Sequence, residues 1–126
     1  MEVVRSGPLT PLPRVPAFIL GVCAHRGEVL PVLDLLRFLE KGAARISGKT
    51  RLVVGVSGNY VAGIVADAVT GLRGFRLADI HPVPMGGSGG GEHLLGAVRP
   101  DPAADTILLL DLAQLLHSAR RRAVPR

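Results

Sequence analysis

Three stretches in the first half of the chain recur, in the same order, in the second half. Leu9-Thr10-Pro11-Leu12-Pro13 is echoed by Ile80-His81-Pro82-Val83-Pro84, Leu20-Gly21-Val22 by Leu95-Gly96-Ala97, and residues 29–39 by residues 106–116. One match between apolar strands arises easily by chance. Three in register describe an internal repeat, which constrains architecture more than any local propensity does. Each copy runs Pro-x-Pro, strand, strand, capped helix. In a chain of 126 residues, the size of one domain, this implies two similar small β subdomains in one compact unit. Short strands with Gly and Pro corners suit small barrels, whose closure removes free edges.

Local pattern supplies the elements. Residues 18–25 and 28–33 read as consecutive strands. Asp34 then precedes Leu35, Leu36, Phe38 and Leu39 at helical spacing, and its carboxylate can accept the free amides of a first helical turn. Residues 42–50 are a loop. Residues 51–57 and 60–66 flank Gly58-Asn59 and read as a hairpin. Residues 68–76 read as a further strand broken by Gly71 and Gly74, and 77–80 as a short turn or helix. The run of Gly and Ser at 86–91 reads as a flexible surface loop. Strands at 93–99 and 105–110 and a helix at 112–121, capped by Asp111, complete the second copy.

The copies are unequal. The hairpin at 51–66 precedes the second copy, and nothing comparable precedes the first. A hairpin and its turn, roughly twenty residues by the length of the second copy's own, are therefore expected to be missing ahead of Met1. The first barrel is then expected to be incomplete, or its edge covered by another segment, unless the true start lies upstream.

Charge narrows the function. Lys and Arg total 15 and Asp and Glu 10, a formal net charge of +5. Four of the basic residues, Arg120, Arg121, Arg122 and Arg126, fall in the last nine positions. Residues 118–126 read as a basic flexible tail on a nearly neutral body of residues 1–117, with halves near 1–50 and 51–117. Nucleic-acid binders carry a basic face on the domain itself. The four aromatics, Phe18, Phe38, Tyr60 and Phe75, do not interleave with basic residues as in a stacking platform. No apolar run reaches the ~18 residues of a membrane span, the first residues do not resemble a signal peptide, and a single Cys23 gives no sign of an oxidising compartment. A soluble cytoplasmic protein without membrane insertion is expected.

Catalysis needs converging polar groups, and none are evident. Cys23 and His25 stand two apart on one strand face, without an orienting partner. One Cys and four scattered His do not make a zinc set. The Gly86–Gly91 region lacks the Lys-Ser/Thr of a phosphate loop. No cofactor or metal is expected, and Asp34 and Asp111 are read as structural caps. Arg26-Gly27 is different, because a tight turn exposes a guanidinium at a strand corner.

The run Pro13-Arg14-Val15-Pro16-Ala17-Phe18-Ile19-Leu20-Gly21-Val22-Cys23-Ala24-His25-Arg26-Gly27-Glu28-Val29-Leu30-Pro31-Val32-Leu33-Asp34-Leu35 resembles the signature of CheW-like chemotaxis coupling proteins. That signature reads, approximately, small-Pro-x-Phe-x-x-Gly-Val-x-Asn-Leu-Arg-Gly-x-Val-x-Pro-Val-x-Asp-Leu. Gly63-Ile64-Val65-Ala66-Asp67-Ala68-Val69, Leu95-Gly96-Ala97 and Ile107-Leu108-Leu109-Leu110-Asp111-Leu112 resemble later family segments, so the likeness covers about residues 2–117. Ala24-His25 stands where the family has Asn-Leu. The resemblance implies a mainly β fold, a CheW-like pair of SH3-like β-barrel subdomains with short capped helices, intertwined.

It also implies a non-enzymatic adaptor in bacterial chemosensory signal transduction, coupling chemoreceptor cytoplasmic tips to a CheA-type histidine kinase. Arg26 and Gly27, with Val22, Val29 and Glu2, are the receptor-binding residues it implies. A five-donor guanidinium suits a carboxylate on a helical partner. Loss of the first hairpin points to an alternative, a divergent coupler that binds receptors but not the kinase regulatory domain. From another class, a nucleic-acid-associated β-barrel protein using the Arg tail is the competing reading.

Overall fold

A computed structural model describes residues 1–82 and 93–123. Its strands are β1 (Glu2–Val4), β2 (Ile19–His25), β3 (Glu28–Asp34), β4 (Arg51–Ser57), β5 (Tyr60–Ala66), β6 (Leu94–Val98) and β7 (Ile107–Leu110). Its helices are α1 (Leu35–Phe38) and α2 (Leu112–Ala123), with a 3₁₀ turn at Leu77–Asp79. The glycine-rich loop expected at 86–91 lies outside the described residues. The first sheet has the order β1-β4-β5-β3-β2, with β3 and β5 parallel and the other neighbours antiparallel, and the second is β6-β7.

The two copies of the repeat share even their irregularities. Each strand pair carries a register shift at the same place, Ile19/Gly21 and Leu94/Gly96. Thr10 bridges Val22 through backbone hydrogen bonds of 2.8 and 2.9 Å, and His81 bridges Ala97 through bonds of 2.9 and 2.8 Å. The amide of Asp34 donates to Phe18 O at 2.8 Å, and that of Asp111 to His93 O at 2.7 Å. Glycine recurs at the bulge because the bridging segment crosses there. A Cβ on Gly21 would strike the Thr10 carbonyl, and one on Gly96 would lie 2.8 Å from the His81 carbonyl oxygen.

The hairpin of β4 and β5 joins the first copy, although it precedes the second. β5 runs parallel to β3, with Gly63, Ile64 and Val65 opposite Val32, Leu33 and Asp34. The copies are thus intertwined, and of the two alternatives expected for the first barrel, incomplete or with its edge covered by another segment, the second is found: the 51–66 hairpin covers β3. Among the described residues it is the second sheet that stands as two strands, because the hairpin joins the first. The same fact explains why the strand expected at 68–76 is absent. Residues 73–75 stand as far before His81 as β1 stands before Thr10, but β1 is held by pairing with β4, and β6-β7 offers no such partner among the described residues.

β3 and β5 are covered on both faces, which accounts for their nearly continuous apolar runs. On one face Cys23, Leu30, Val32, Leu52, Val54 and Val65 pack together. On the other, Leu33, Ala62 and Ile64 meet Phe18, Phe38 and the α2 residues Leu115, Leu116 and Ala119. Gly55 makes room for this helix, since a Cβ there would lie 2.7 Å from Leu112 Cδ2. α2 continues through Ala123, so residues 118–123 are not the flexible tail read from the sequence. Ala119 is fully buried, and the guanidinium groups of Arg120 and Arg122 lie over the rings of Tyr60 and Phe38 at 5.7 and 4.5 Å. Such cation–ring contacts, and positive charge at a helix C-terminus, favour helix over tail.

Candidate functional site

β1 and β2 are opposite edges of the first sheet, yet their ends meet. Arg26 Nη2 donates to Glu2 Oε1 at 2.6 Å, and His25 Nε2 lies 3.7 Å from Glu2 Oε2. The sheet must curl until its edges face each other, and the Thr10–Val22 bridge fastens the chain across β2 in the same way. Glu2 thereby joins two strands that are remote in the pairing order.

Arg26 and Gly27 form the two-residue turn between β2 and β3, closed by the His25–Glu28 pair. Both have positive φ, 51° and 76°, the pattern of a type I′ hairpin turn. No atom lies within 4 Å of a Cβ built on Gly27, so glycine is there for its dihedral and not for space. Arg26 accepts a left-handed conformation that costs a non-glycine residue about 1 kcal/mol. Its side chain is 74 % exposed, against 36 % for Glu2. An ion pair this open contributes at most about 1 kcal/mol to stability. Its structural effect is to hold one arm of the guanidinium and leave the other donors facing solvent.

The register sorts the remaining residues by face. Ala24 lies opposite Val29, and Val22 opposite Pro31, so Val22 and Val29 share the outer face of the β2–β3 hairpin. Val29 is 73 % exposed and adjoins the turn. Val22 is half-buried and lies further along that face. Cys23 and His25 point to the opposite, inner side. Cys23 is buried, and burial pushes its thiol pKa up, so it stays protonated and is a poor nucleophile. His25 is the member of the cluster that sequence reasoning left out. Its position two residues after inward-facing Cys23 was the available signal, because an inward side chain at a barrel rim must meet the opposite edge.

Asp34 and Asp111 lie elsewhere, at the starts of the two helices. Asp34 Oδ1 accepts from Arg37 N at 3.3 Å and Asp111 Oδ1 from Gln114 N at 3.1 Å. Asp34 is also 2 % exposed, accepts from Ala44 N at 3.0 Å through Oδ2 and has Arg37 Nε 3.2 Å from that oxygen. Among the described residues, no three His, Cys, Asp or Glu side chains are grouped to hold a metal ion, and no helix is long and apolar enough to cross a membrane.

Comparison with known proteins fits this architecture. The family model for the CheW-like domain matches residues 1–120. The protein FrzA of Myxococcus xanthus is 61 % identical over 126 residues, covering 100 % of this chain and 79 % of FrzA. The chemotaxis protein CheW of Rhizobium meliloti is 36 % identical over 83 residues, which is 66 % of this chain and 54 % of that protein. Among solved structures, the scaffolding protein TtCheW from Thermoanaerobacter tengcongensis superposes with a TM-score of 0.80 at 27 % identity, over 90 % of this chain and 73 % of TtCheW. A duplicated, intertwined β fold and a family match over nearly its whole length place the chain in the CheW-like domain family.

Proposed function

We propose that the chain is a non-enzymatic cytoplasmic adaptor of chemosensory signalling, and that the Arg26 corner engages the helical tip of a chemoreceptor. The observation that carries this reading is the Glu2–Arg26 pair of 2.6 Å at an exposed turn, beside a 73 % exposed Val29. Glu2 orients the guanidinium, whose remaining donors can take a carboxylate from an acidic helix, and Val29 supplies an apolar contact next to it. Charge-assisted hydrogen bonds set on an apolar patch are the usual chemistry of an interface anchor. Arg26, Gly27, Glu2 and Val29 form the centre of this surface, and Val22 its half-buried margin.

The second partner is the regulatory domain of a CheA-type histidine kinase. The Arg26 corner belongs to the five-stranded first sheet, whereas the second sheet has two strands among the described residues. We therefore expect the receptor contact to be retained and the kinase contact to be the weaker one. Nucleic-acid binding through the C-terminal arginines is disfavoured, since Arg120 and Arg122 already lie over rings of the fold.

Titration of receptor-tip and kinase-domain fragments, separately, against the chain and Arg26→Glu tests the reading. Reversal of the charge should weaken receptor binding by about 2–5 kcal/mol while leaving the thermal transition in place. Unchanged receptor affinity would remove Arg26 from the interface. Kinase-domain affinity equal to that of a longer family member would defeat the one-sided adaptor.

A further inference from the structure

Side chains alternate along a strand, so the face of β3 that carries Leu33 also carries Pro31 and Val29. Leu33 is covered by α2. Pro31 is half-buried and Val29 is 73 % exposed, so the helix covers this face only in part. Ala119 is fully buried, and at about 100° per residue Arg120 and Arg122 leave α2 on opposite flanks. Arg122 turns to Phe38 of α1, and Arg120 to Tyr60 at the start of β5. Tyr60 packs against the core beneath α2. The parallel register sets Val32 against Gly63, and three residues earlier on each strand stand Val29 and Tyr60, both on the face that Leu33 occupies. The bare strip of Val29, Pro31 and half-buried Val22 therefore has a guanidinium at each limit: exposed Arg26 at the hairpin turn, and exposed Arg120 where the helix stops.

We infer that Arg120 is a second anchor of the receptor surface, and that the helix docking there carries two carboxylates seven residues apart with an apolar side chain between them. The inference rests on the receptor reading of Arg26. From Val29 back to Arg26 is three residues, at most about 10 Å, and from β3 across to β5 is one strand spacing, about 5 Å. The two guanidinium groups thus stand on the order of 10 Å apart. A helix advances about 10.5 Å in seven residues and returns to the same face. Carboxylates at i and i+7 then reach both arginines, and the side chain at i+3 or i+4 falls over Val29. The Tyr60 ring, 5.7 Å from the Arg120 guanidinium, holds that group in place before the partner arrives. The ring takes the face of the guanidinium and leaves its edge donors for a carboxylate. It does not create a track for a run of phosphates, since Arg122 is turned to the other flank. Burial raises the Tyr60 phenol pKa and the Arg120 charge opposes the rise, so that charge acts at this limit of the strip.

A receptor-tip fragment is titrated against the full chain, Arg26→Glu, Arg120→Glu and Arg121→Glu, with the thermal transition of each variant recorded. Arg121 is exposed and points away from the strip, so its reversal changes net charge alone. Arg120→Glu should weaken binding at least about tenfold and Arg121→Glu less than about twofold. Should Arg120→Glu lower the thermal transition, Arg120→Gln, which removes the charge without reversing it, reads the same contact. Each acidic residue of the fragment's helix is then replaced by Lys in turn. One replacement should be rescued by Arg120→Glu, and another, seven positions away, by Arg26→Glu. Weakening by Arg26→Glu with Arg120→Glu unchanged would overturn the second anchor and leave the receptor reading standing, whereas no weakening by either would overturn both. Equal losses for Arg120→Glu and Arg121→Glu would reduce the effect to overall charge and overturn the inference, and so would rescue pairs at any spacing other than seven.

Discussion

Replacing Asp34 by Ala removes three contacts at once: the cap on Arg37 N, the acceptor for Ala44 N and the partner of Arg37 Nε. Loss of a cap costs about 1 kcal/mol. The Ala44 amide, left without its acceptor in a partly buried setting, adds about 1–2 kcal/mol. The Arg37 side chain is 45 % exposed, so the ion pair adds at most about 0.5 kcal/mol. Asp34→Ala should therefore cost about 2–3 kcal/mol. Asp111, its counterpart in the repeat, has one such bond, to Gln114 N at 3.1 Å, and Asp111→Ala should cost about 1 kcal/mol. In urea, with a slope of about 1.5 kcal/mol/M, the midpoints should fall by about 1.7 M and about 0.7 M. Asp34→Asn keeps one acceptor oxygen and should fall between wild type and Asp34→Ala. Equal shifts for the two alanine variants would refute the reasoning, because it attributes the excess at Asp34 to the loop contact through Ala44.

Gly21→Ala should destabilise by about 2 kcal/mol or more, since the new methyl meets the Thr10 carbonyl in a backbone already at φ 148°; exchange at the Thr10 and Val22 amides should accelerate, and an unchanged rate would show that the bridge relaxes freely. Cys23 should alkylate far more slowly in the folded chain than in urea. Because folding raises its thiol pKa, the folded state holds the proton more tightly, so stability is unaffected at low pH and falls as pH climbs past about 9, the ordinary thiol value; Cys23→Ala should flatten that decline in urea titrations at successive pH values. Burial raises the Tyr60 phenol pKa and the Arg120 charge opposes the rise, so Arg120→Ala should move the phenol titration, followed by ultraviolet absorbance, to still higher pH.

What was legible in the sequence was local pattern repeated twice. The hairpin at 51–66 alternates around Gly58-Asn59, and the repeated strand–strand–Asp pattern announced β2-β3 and β6-β7. What was not legible was pairing across distance. Nothing in Glu2-Val3-Val4 marks a strand until β4 lies beside it, and nothing in residues 68–76 forbids one except the lack of a partner. That the hairpin serves the copy before it depends on the parallel β3–β5 contact, which sequence order does not reveal. Arg26 was identifiable from its turn and from the family likeness. Its contact with Glu2, 24 positions away, required the curl of the sheet, and His25 entered the cluster by the same curl.

The core against which α2 packs draws on residues from Phe18 to Ala119. On a ribosome adding about 5–20 residues per second, β2 and β3 emerge seconds before the helix that covers them. Neither half can reach its native packing as an early folding unit, because the first waits for residues 60–66 and then for Leu115, Leu116 and Ala119. The nascent chain must therefore hold an uncovered apolar sheet face until α2 has been synthesised. Truncations within α2 should cause aggregation during synthesis rather than a trimmed but folded domain, because they remove the residues that cover the sheet.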